Sequence, residues 1–570
     1  MSNHSTVSPT GRKPGVPQRI TLGTIQLRDQ ETNEIILVPT PSNDPNDPLN
    51  WSRARKYYIF TLACCGIFFA HASIVGPAVS LGAITAEFFG DGPDAIANHL
   101  QTTSYLQTTC SLMIGVGNLI WVPLAIKFGR RPVYMVSYIL LTACVLWSGA
   151  AKSFASSLVA RILLGLACAA PEIIVPLTIT DIFFLHQRGR AMVVYGCALS
   201  TGVGVGVVFA GLITRDYGWR MVFWIFSAFV IACTVCVLLF FPETNYNRQE
   251  NAVTDSNNSG LEGDKPSSQW TDDVRSQPTT TLQAPPARAT FLQDMKFYSH
   301  TFTTESVWAL TFRPLIAILL PAVLWATFIN AVSQGMIVVI SANFSTAFAE
   351  IYGFTTWQAG LTYISTIVGS LIAIFLGGHF TDWVADVLTR RNRGVRTPEM
   401  RLPAIAVSLV SGPLACILYG VGLAKRLHWI VPTIGIGLVN FTTVQSNNVA
   451  LVYLLDSYRP IAGEVIVTQS VFKGLKPLLP SHGLSCICAR PLMINDSAAI
   501  ISFLLSFYVN AWVQSSGYLT VFGILTGVSA AVLLSTVLFY TFGNKIRHAT
   551  WNWGIIRRFL HWHPDREVGE

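Results

Sequence analysis

Charged side chains are scarce in this chain. Of its 570 residues, 12% are Asp, Glu, Lys or Arg, whereas soluble domains carry about a quarter. Because 51% of the residues are hydrophobic, the composition indicates a protein whose core is solvated by lipid. A Gly-x-x-x-x-Gly-Lys-Ser/Thr loop is also lacking, which disfavours an ATP-driven pump, and no catalytic constellation stands out.

Cysteine adds no structural framework. Most of the eleven cysteines lie inside apolar runs, where a free thiol behaves as a small hydrophobe. Cys486-Ile-Cys488 is too short a cluster for a tetrahedral metal site without partners. We therefore expect no disulfides, no metal and no cofactor. Residues 1–50 hold no basic segment leading into a short apolar one, so we expect no signal peptide and a first span that acts as the anchor.

Long apolar runs divide the chain into two blocks. Runs of at least about 18 residues can cross a bilayer, and they predict spans at 57–82, 99–122, 133–151, 154–180, 189–213, 219–241, 313–341, 357–378, 402–424 and 429–455. Two more lie towards the C-terminus, one broken and one near 518–541. We expect an all-α membrane protein with twelve transmembrane helices in two six-helix bundles. The predicted parts are a disordered tail (1–56), a first bundle (57–243), a disordered linker (244–312), a second bundle (313–541) and a tail (542–570).

A basic turn sets the orientation. Gly129-Arg130-Arg131-Pro132, preceded by Lys127, forms a tight hairpin between two apolar runs, and Lys and Arg concentrate in short cytoplasmic loops. The net charge of +8 lies in short loops and tails rather than on one face, so topology explains it and no nucleic-acid partner is expected. Both termini and the linker are then predicted to be cytosolic.

Several short motifs carry a family resemblance. The stretch from Val122 to Arg131 resembles the signature between spans two and three of the major facilitator superfamily, roughly Gly-x-Leu-x-Asp-Arg-x-Gly-Arg-Arg. Leu158-Val-Ala-Arg161-Ile-Leu-Leu-Gly165 resembles the fourth-span motif of drug:proton antiporters of that family, in which an intramembrane Arg is linked to proton coupling. Asp47-Pro48-Leu49-Asn50-Trp51-Ser52, Gly218-Trp219-Arg220 and Pro242-Glu243-Thr244 look like fungal members. The resemblance implies the major facilitator fold.

The basic turn also predicts a cytoplasmic gate. In the family an Asp of the signature helps to latch the two halves, but Ile126 stands at that position here. The second half has a partial copy of the signature, Gly378-His-Phe-Thr-Asp382, in which the acid is present, so Asp382 is a further candidate for the gate. Asp181 and Glu243 are expected at the same depth as Arg130 and Arg131. We therefore predict that these two acids and two arginines form an inner charge cluster with Gly129. Solvation at the surface is the alternative interpretation, and it applies equally to Glu464.

Three ionisable residues inside predicted spans are candidates for proton coupling. Such groups are costly in lipid and usually face a cavity or a partner. Arg161 and Glu172 lie eleven residues apart, about three helical turns, so both can face the same side. A carboxyl in a cavity can exchange protons, and His71 can titrate near physiological pH. The alternatives are a static charge pair, a polar packing contact and, for His71, a histidine that only makes hydrogen bonds within the helix.

Uncharged polar residues of the second half are candidates for the substrate cavity. Asn330 and Gln334 share one face of span seven, and Gln445 and Asn448 share one face of span ten. Such amides can also bond neighbouring helices only. The glycines from Gly202 to Gly211 in span five lack the proline of the antiporter pattern and are interpreted as helix packing. Asn343-Phe-Ser345 is a sequence for N-glycosylation at the predicted outer end of span seven.

The segment from Gly474 to Ser497 interrupts span eleven. Its three prolines and its charges cannot continue a transmembrane helix. Our hypothesis is a translated, unspliced intron, and a messenger RNA that encodes the segment would overturn it. The alternative is a real loop between two half-spans.

The sequence predicts a secondary transporter for a small organic molecule, working by rocking of its halves around a central site. Proton-coupled export of a drug-like compound or secondary metabolite is the first choice. Proton-driven uptake of a nutrient or polyamine is the second, and a transport-inactive substrate sensor is the third. Apart from substrate, protons and lipid, no partner is expected. We predict a monomer in the plasma membrane rather than the vacuole.

Overall fold

The computed structural model describes residues 25–26, 44–90, 92–246, 319–392, 395–458 and 490–551, with residue 553 and short stretches between 295 and 317; residues 490–511 are described by their backbone alone. In this part of the chain the protein is helical apart from one short pairing of strands. Ile25–Gln26 (β1) pairs antiparallel with Val395–Arg396 (β2). The helices of the first half are α1 (Arg53–Val75), α2 (Leu81–Phe89), α3 (Pro93–Phe128), α4 (Arg130–Ala150), α5 (Phe154–Ile182), α6 (Leu185–Tyr217) and α7 (Trp219–Phe240).

The second half repeats the pattern with more irregular helices. They are α8 (Pro321–Tyr352), α9 (Thr356–Leu361), α10 (Ile364–Ala373), α11 (Thr381–Arg391), α12 (Ile405–Ala424), α13 (Ile430–Ser457), α14 (Arg490–Leu534) and α15 (Thr536–Trp551). A π-helical stretch, Ile374–Phe380, joins α10 to α11, and a 3₁₀ segment, Pro398–Ala404, leads into α12. The backbone bends at Gly517 inside α14.

Ten of the described helical segments are long and apolar enough to cross a membrane, judged by length and composition. They include the six segments of the first half, as the apolar runs predict. Helix α13 is long enough but less apolar than these ten segments, because Asn440, Gln445 and Asn448 lie within it together with several hydroxyl side chains. The fold is an all-α membrane fold, and the number of described spans fits the predicted twelve without fixing it.

Some boundaries differ from the prediction. The first helix begins at Arg53, before the predicted 57, because the Ser52 hydroxyl accepts a hydrogen bond from the Arg55 amide and caps the helix. The preceding turn is folded against it, since Lys56 donates to the carbonyl of Leu49 at 2.8 Å. Of the predicted insert 474–497, residues 474–489 lie outside the described part of the chain. From Arg490 onward the backbone is helical, whereas a half-span was expected only from Ala498.

Helix α6 joins the two halves. An added Cβ at Gly202 would come within 2.5 Å of the Phe68 carbonyl oxygen, and one at Gly206 within 2.6 Å of the Ala72 carbonyl oxygen, both on α1. On its other side, a Cβ at Gly211 would lie 3.3 Å from the Trp357 backbone of α9. The glycines of α6 therefore allow close approach to both halves, which fits the packing interpretation.

Candidate proton site and central cavity

A cavity of about 90 Å³ lies between the two halves. From the first half it is lined by Glu172 and Pro176 of α5 and by Tyr195 of α6. From the second half α8 contributes Asn330 and Gln334, as predicted from their shared face, and α13 contributes Thr443, Asn447 and Asn448. One wall thus carries a carboxyl group, and the opposite wall carries amides. Sequence reasoning missed Tyr195 and Asn447, although Asn447 directly precedes a predicted cavity residue.

Glu172 and His71 form a buried pair beside this cavity. The distance from His71 Nε2 to Glu172 Oε2 is 3.6 Å, and the two residues are 6% and 3% exposed. His71 Nδ1 lies 3.2 Å from the carbonyl oxygen of Ile67, one turn earlier in α1, and 3.9 Å from the sulfur of Cys168. The structure therefore brings together two of the three predicted proton-coupling residues, on neighbouring helices. The sequence alone did not pair them.

A proline explains how Glu172 is held. Pro176 lies four residues after Glu172 in α5 and has no amide hydrogen, so the Glu172 carbonyl loses its normal helical donor. The hydroxyl of Tyr195 donates to that carbonyl at 2.7 Å. The freed backbone group is thereby satisfied from the adjacent helix, which ties α6 to α5 at the cavity wall. The sequence contains a signal for this freed carbonyl, because a proline four residues after Glu172 removes the amide that would bond it in a regular helix.

Arg161 shares a side of α5 with Glu172 but does not line the cavity. Its Nη1 donates to the carbonyl of Ile74 in α1 at 2.9 Å, and its guanidinium lies 4.9 Å from the centre of the Phe223 ring. Both Arg161 and Glu172 thus contact α1, as their spacing of eleven residues predicts. Arg161 is buried at 2% exposure and holds α1, α5 and α7 together.

The amides of α13 split between two environments. Asn448 lines the cavity, and its Nδ2 donates at 3.0 Å to the carbonyl of Gly377 in the π-helical stretch. Gln445 was predicted to line the cavity as well, but it is not among the side chains around the cavity. Its Nε2 lies 3.5 Å from the Ala404 carbonyl, and a Cβ at Gly377 would come within 2.6 Å of its Oε1. These contacts favour the alternative interpretation for Gln445, in which the amide packs against neighbouring helices.

The basic turn gathers most of the predicted inner cluster. The backbone amides of Arg130 and Arg131 donate to the two carboxyl oxygens of Glu243 at 2.9 and 3.1 Å. The Nε of Arg130 lies 3.2 Å from Asp181 Oδ2. Gly129 has φ +96°, and a Cβ there would lie 2.3 Å from Glu243 Oε2, so this position requires glycine. The partial burial of Glu243 raises its pKa, and these backbone hydrogen bonds partly offset the rise.

Part of the predicted linker packs against this cluster. Arg131 donates to the carbonyl of Met295 at 2.9 Å and also to that of Phe241. The amide of Phe302 donates to the Lys127 carbonyl at 3.0 Å. Met295 and Phe302 are therefore held on the first bundle, whereas residues 247–294 of the linker lie outside the described part of the chain. Ile126, which replaces the acid of the family signature, packs against the hydrophobic core.

Asp382 lies in a separate cluster. Its Oδ1 is 3.2 Å from Nη1 of Arg401, and Nε of Arg401 is 3.0 Å from Oδ2 of Asp456. Asp382, the gate residue predicted in the second half, is thus paired with Arg401 of the 3₁₀ segment before α12, and its part in a cytoplasmic gate stays a prediction. Gly189 of α6 approaches this cluster across the interface, since a Cβ there would lie 3.3 Å from Arg401 Nη1. Neither Arg401 nor Asp456 was predicted.

Asn343 does not fit a glycosylation site. It lies within α8 at 3% exposure, and its Oδ1 accepts a hydrogen bond of 3.4 Å from the Tyr419 hydroxyl. Glycans are attached to asparagines at the surface, so this prediction is corrected. Within the described residues no group of three or more His, Cys, Asp or Glu side chains is arranged to hold a metal ion.

Comparisons with known proteins agree with this architecture. The family model of the Major Facilitator Superfamily matches residues 61–457. The MFS-type transporter hepF of Aspergillus oryzae is 26% identical over 443 residues, which cover 76% of this chain and 83% of hepF. Protein HOL1 of Saccharomyces cerevisiae is 23% identical over 574 residues, 91% of each chain. The solved structure of the proton:xylose symporter XylE bound to 6-bromo-6-deoxy-D-glucose matches with a TM-score of 0.56 at 12% identity, covering 88% of this chain and 100% of that chain.

The family match covers the first half from residue 61 and the second half to the end of α13, including all cavity residues from Glu172 to Leu451. The solved structure independently supports the same arrangement of helices. The chain is therefore a multi-pass membrane transporter that belongs to the Major Facilitator Superfamily.

Proposed function

We propose that this transporter exports a small organic molecule in exchange for protons, and that His71 and Glu172 form its proton site. The observation that carries the proposal is the 3.6 Å contact between Nε2 and Oε2 beside the central cavity. Ionisable groups so deeply buried in a membrane helix are expensive, and they generally mark a pathway for ions or substrate. Glu172 lines the cavity, and His71 contacts the carboxyl group of Glu172 from α1.

The contacts of His71 define how the pair holds a proton. A backbone carbonyl only accepts hydrogen bonds, so the 3.2 Å contact to Ile67 places a hydrogen on Nδ1. A neutral imidazole then has a bare Nε2, which faces the carboxyl of Glu172. The pair is attractive when one proton lies between the two groups, on either Nε2 or Oε2. When that proton is lost, the lone pair of His71 Nε2 faces the carboxylate of Glu172, and their repulsion favours separation of the two side chains.

Proton binding can thus be linked to movement of α5 against α1. Helix α5 also carries Pro176, whose position weakens the helical ladder at Glu172 and whose missing bond is replaced by Tyr195 of α6. A change at the pair therefore reaches α6, the helix that packs against α9 and α10 of the other half. This connection supports transport by rocking of the halves, as the fold implies.

The direction of transport is proposed from the sequence. Residues 158–165 resemble the fourth-span motif of drug:proton antiporters, and Arg161 occupies its characteristic position. Proton-driven uptake is the second candidate, because α6 has no proline in the stretch from Gly202 to Gly211 where antiporters of the family carry one. We further propose that the transporter acts as a monomer at the plasma membrane.

Purified transporter in liposomes that contain a pH-sensitive dye tests this function. A panel of small amines, carboxylates and neutral amphiphiles is added outside, with empty liposomes as the control. Exchange predicts that substrate entry is accompanied by proton loss, so the lumen becomes more alkaline. Acidification of the lumen would instead establish uptake together with protons. Substrate accumulation without any change in lumen pH would overturn proton coupling. A fluorescently tagged copy of the protein would locate it at the plasma membrane or the vacuole.

A further inference from the structure

We infer that the substrate of this cavity is an organic cation with N–H donors, such as a primary ammonium or a guanidinium. This inference rests on the proposed transport function and deepens it by naming the chemical class of the substrate. The argument comes from the chemistry of the two cavity walls.

One wall offers a carboxyl group. Glu172 is the acidic residue among the described side chains that line the cavity, and no Lys or Arg is found among those same residues. Arg161, the nearest cation on α5, is directed to the Ile74 carbonyl and the Phe223 ring. The electrostatic potential of the described walls is therefore negative whenever Glu172 is ionised, which favours a positive ligand.

The opposite wall offers hydrogen-bond acceptors. The side-chain oxygens of Asn330, Asn447 and Asn448 are buried, and none of them has a hydrogen-bond partner among the residues that the structure describes. Asn330 and Asn448 are each 7% exposed, and all three residues line the cavity. Buried polar atoms without a partner are costly, which points to a ligand that supplies donors.

The orientation of Asn448 is set by the protein. Its Nδ2 donates to the Gly377 carbonyl at 3.0 Å, so its oxygen is directed away from the π-helical stretch. The π-helical geometry displaces the local hydrogen bonds and makes that carbonyl accessible. The acceptor arrangement is therefore built into the helices that surround the cavity.

A cation between these walls would contact both halves of the transporter. Its charge would face Glu172 of the first half, and its N–H groups would reach amide oxygens of the second half. Binding would then draw the halves together around the ligand. A proton on the pair of His71 and Glu172 would neutralise the carboxylate and release the cation. The titratable groups that face Glu172 in this account are His71 from α1, Tyr195 from α6 and Cys168 within α5.

A set of four matched probes tests this inference on the purified wild-type transporter. Benzylammonium carries charge and donors, benzyltrimethylammonium carries charge alone, benzyl alcohol is neutral, and benzoate is an anion. Binding is measured by calorimetry in lipid nanodiscs at about pH 8, above the ordinary pKa values of carboxyl and imidazole groups. We expect benzylammonium to bind at least about tenfold more tightly than benzyltrimethylammonium, since hydrogen bonds that involve a charged group are strong. The alcohol and benzoate should bind more weakly still.

Two variants assign the acceptors. Asn330→Leu should weaken benzylammonium binding about tenfold and leave benzyltrimethylammonium nearly unchanged. Gln445→Leu is the matched control, because that amide lies on α13 outside the cavity, and it should leave both affinities unchanged. Both variants are first checked by size-exclusion chromatography for the elution profile of the wild type. The probe series on the wild type tests the inference even if a variant does not fold.

Tighter binding of benzoate or benzyl alcohol than of benzylammonium would overturn the substrate class. So would equal affinity for the two cations, or benzylammonium binding weaker than about 1 mM. These failures are distinguishable from failure of the proposed function. If only the substrate class is wrong, a transported compound still changes the lumen pH in the liposome assay. If only proton coupling is wrong, the probes bind in the expected order but transport leaves the lumen pH unchanged.

Discussion

His71 on α1 and Glu172 on α5 meet at 3.6 Å between Nε2 and Oε2, and both side chains are almost fully buried. The contact joins two helices of the first half next to a cavity whose opposite wall belongs to the second half. Because the hydrogen on Nδ1 faces the Ile67 carbonyl, the proton shared by the pair lies on Nε2 or on Oε2.

Replacement of His71 by Gln removes the ionisable partner of Glu172. We expect the initial transport rate of His71→Gln to depend less on pH than that of the wild type, because Gln cannot take up a proton. The exposed His428 provides the control, and His428→Gln should retain the wild-type profile. An unchanged profile in His71→Gln would remove the imidazole from the proton site.

Tyr195→Phe deletes the hydroxyl that satisfies the Glu172 carbonyl opposite Pro176. The carbonyl then lies buried without a donor, which costs about 1–3 kcal/mol. The free energy of unfolding should fall by this amount, as read from denaturation of the purified protein in detergent. Tyr217 is 73% exposed, so Tyr217→Phe should be neutral. Equal stability of the two variants would contradict the role of Tyr195.

Gly129→Ala tests the backbone of the basic turn. The residue has φ +96°, and the added methyl would lie 2.3 Å from Glu243 Oε2. We expect a clear loss of thermal stability together with reduced transport, since strain and a clash with the charge cluster combine. Gly523 lies in α14 with nothing within 4 Å of an added Cβ. Gly523→Ala should therefore leave stability unchanged or raise it by up to about 1 kcal/mol. A Gly129→Ala protein as stable as this control would refute the packing of the turn.

Glu243 should make stability depend on pH. Burial raises its pKa above the ordinary value of 4.5, so between 4.5 and the raised pKa the folded protein binds more protons than the unfolded chain. The free energy of unfolding contributed by this residue therefore falls as pH rises through that window and then levels off. Glu243→Gln should lack this fall, which thermal unfolding at a series of pH values would measure. A fall of the same size in the variant would assign it to other groups.

The sequence predicted the six apolar segments of the first half, because long hydrophobic runs mark the segments that can cross a bilayer. It also predicted the pairing of Arg130 with Asp181 and Glu243, since these residues lie at the same end of adjacent helices. The partner of Asp382 was not predictable in this way. Arg401 lies in a 3₁₀ segment whose path depends on packing against α11 and α13.

Helix rotation limits what one sequence can reveal about the cavity. Asn330 and Gln334 both line the central cavity, because residues four apart share a face of a helix. Gln445 and Asn448 also share a face, yet only Asn448 reaches the cavity, because the π-helical stretch at Gly377 occupies the space beside Gln445. The pairing of His71 with Glu172 depends on the rotation of α1 against α5, which neither helix encodes by itself.

The most direct test of the proton site compares Glu172→Gln with Glu350→Gln in dye-loaded liposomes. Glu350 is exposed near the end of α8, more than four helical turns after the cavity residue Gln334, and serves as a carboxyl control. Both proteins are assayed with the same transported compound as the wild type. The account predicts that Glu350→Gln keeps the change in lumen pH, whereas Glu172→Gln falls to the level of empty liposomes. A change in lumen pH of wild-type size in Glu172→Gln would contradict it.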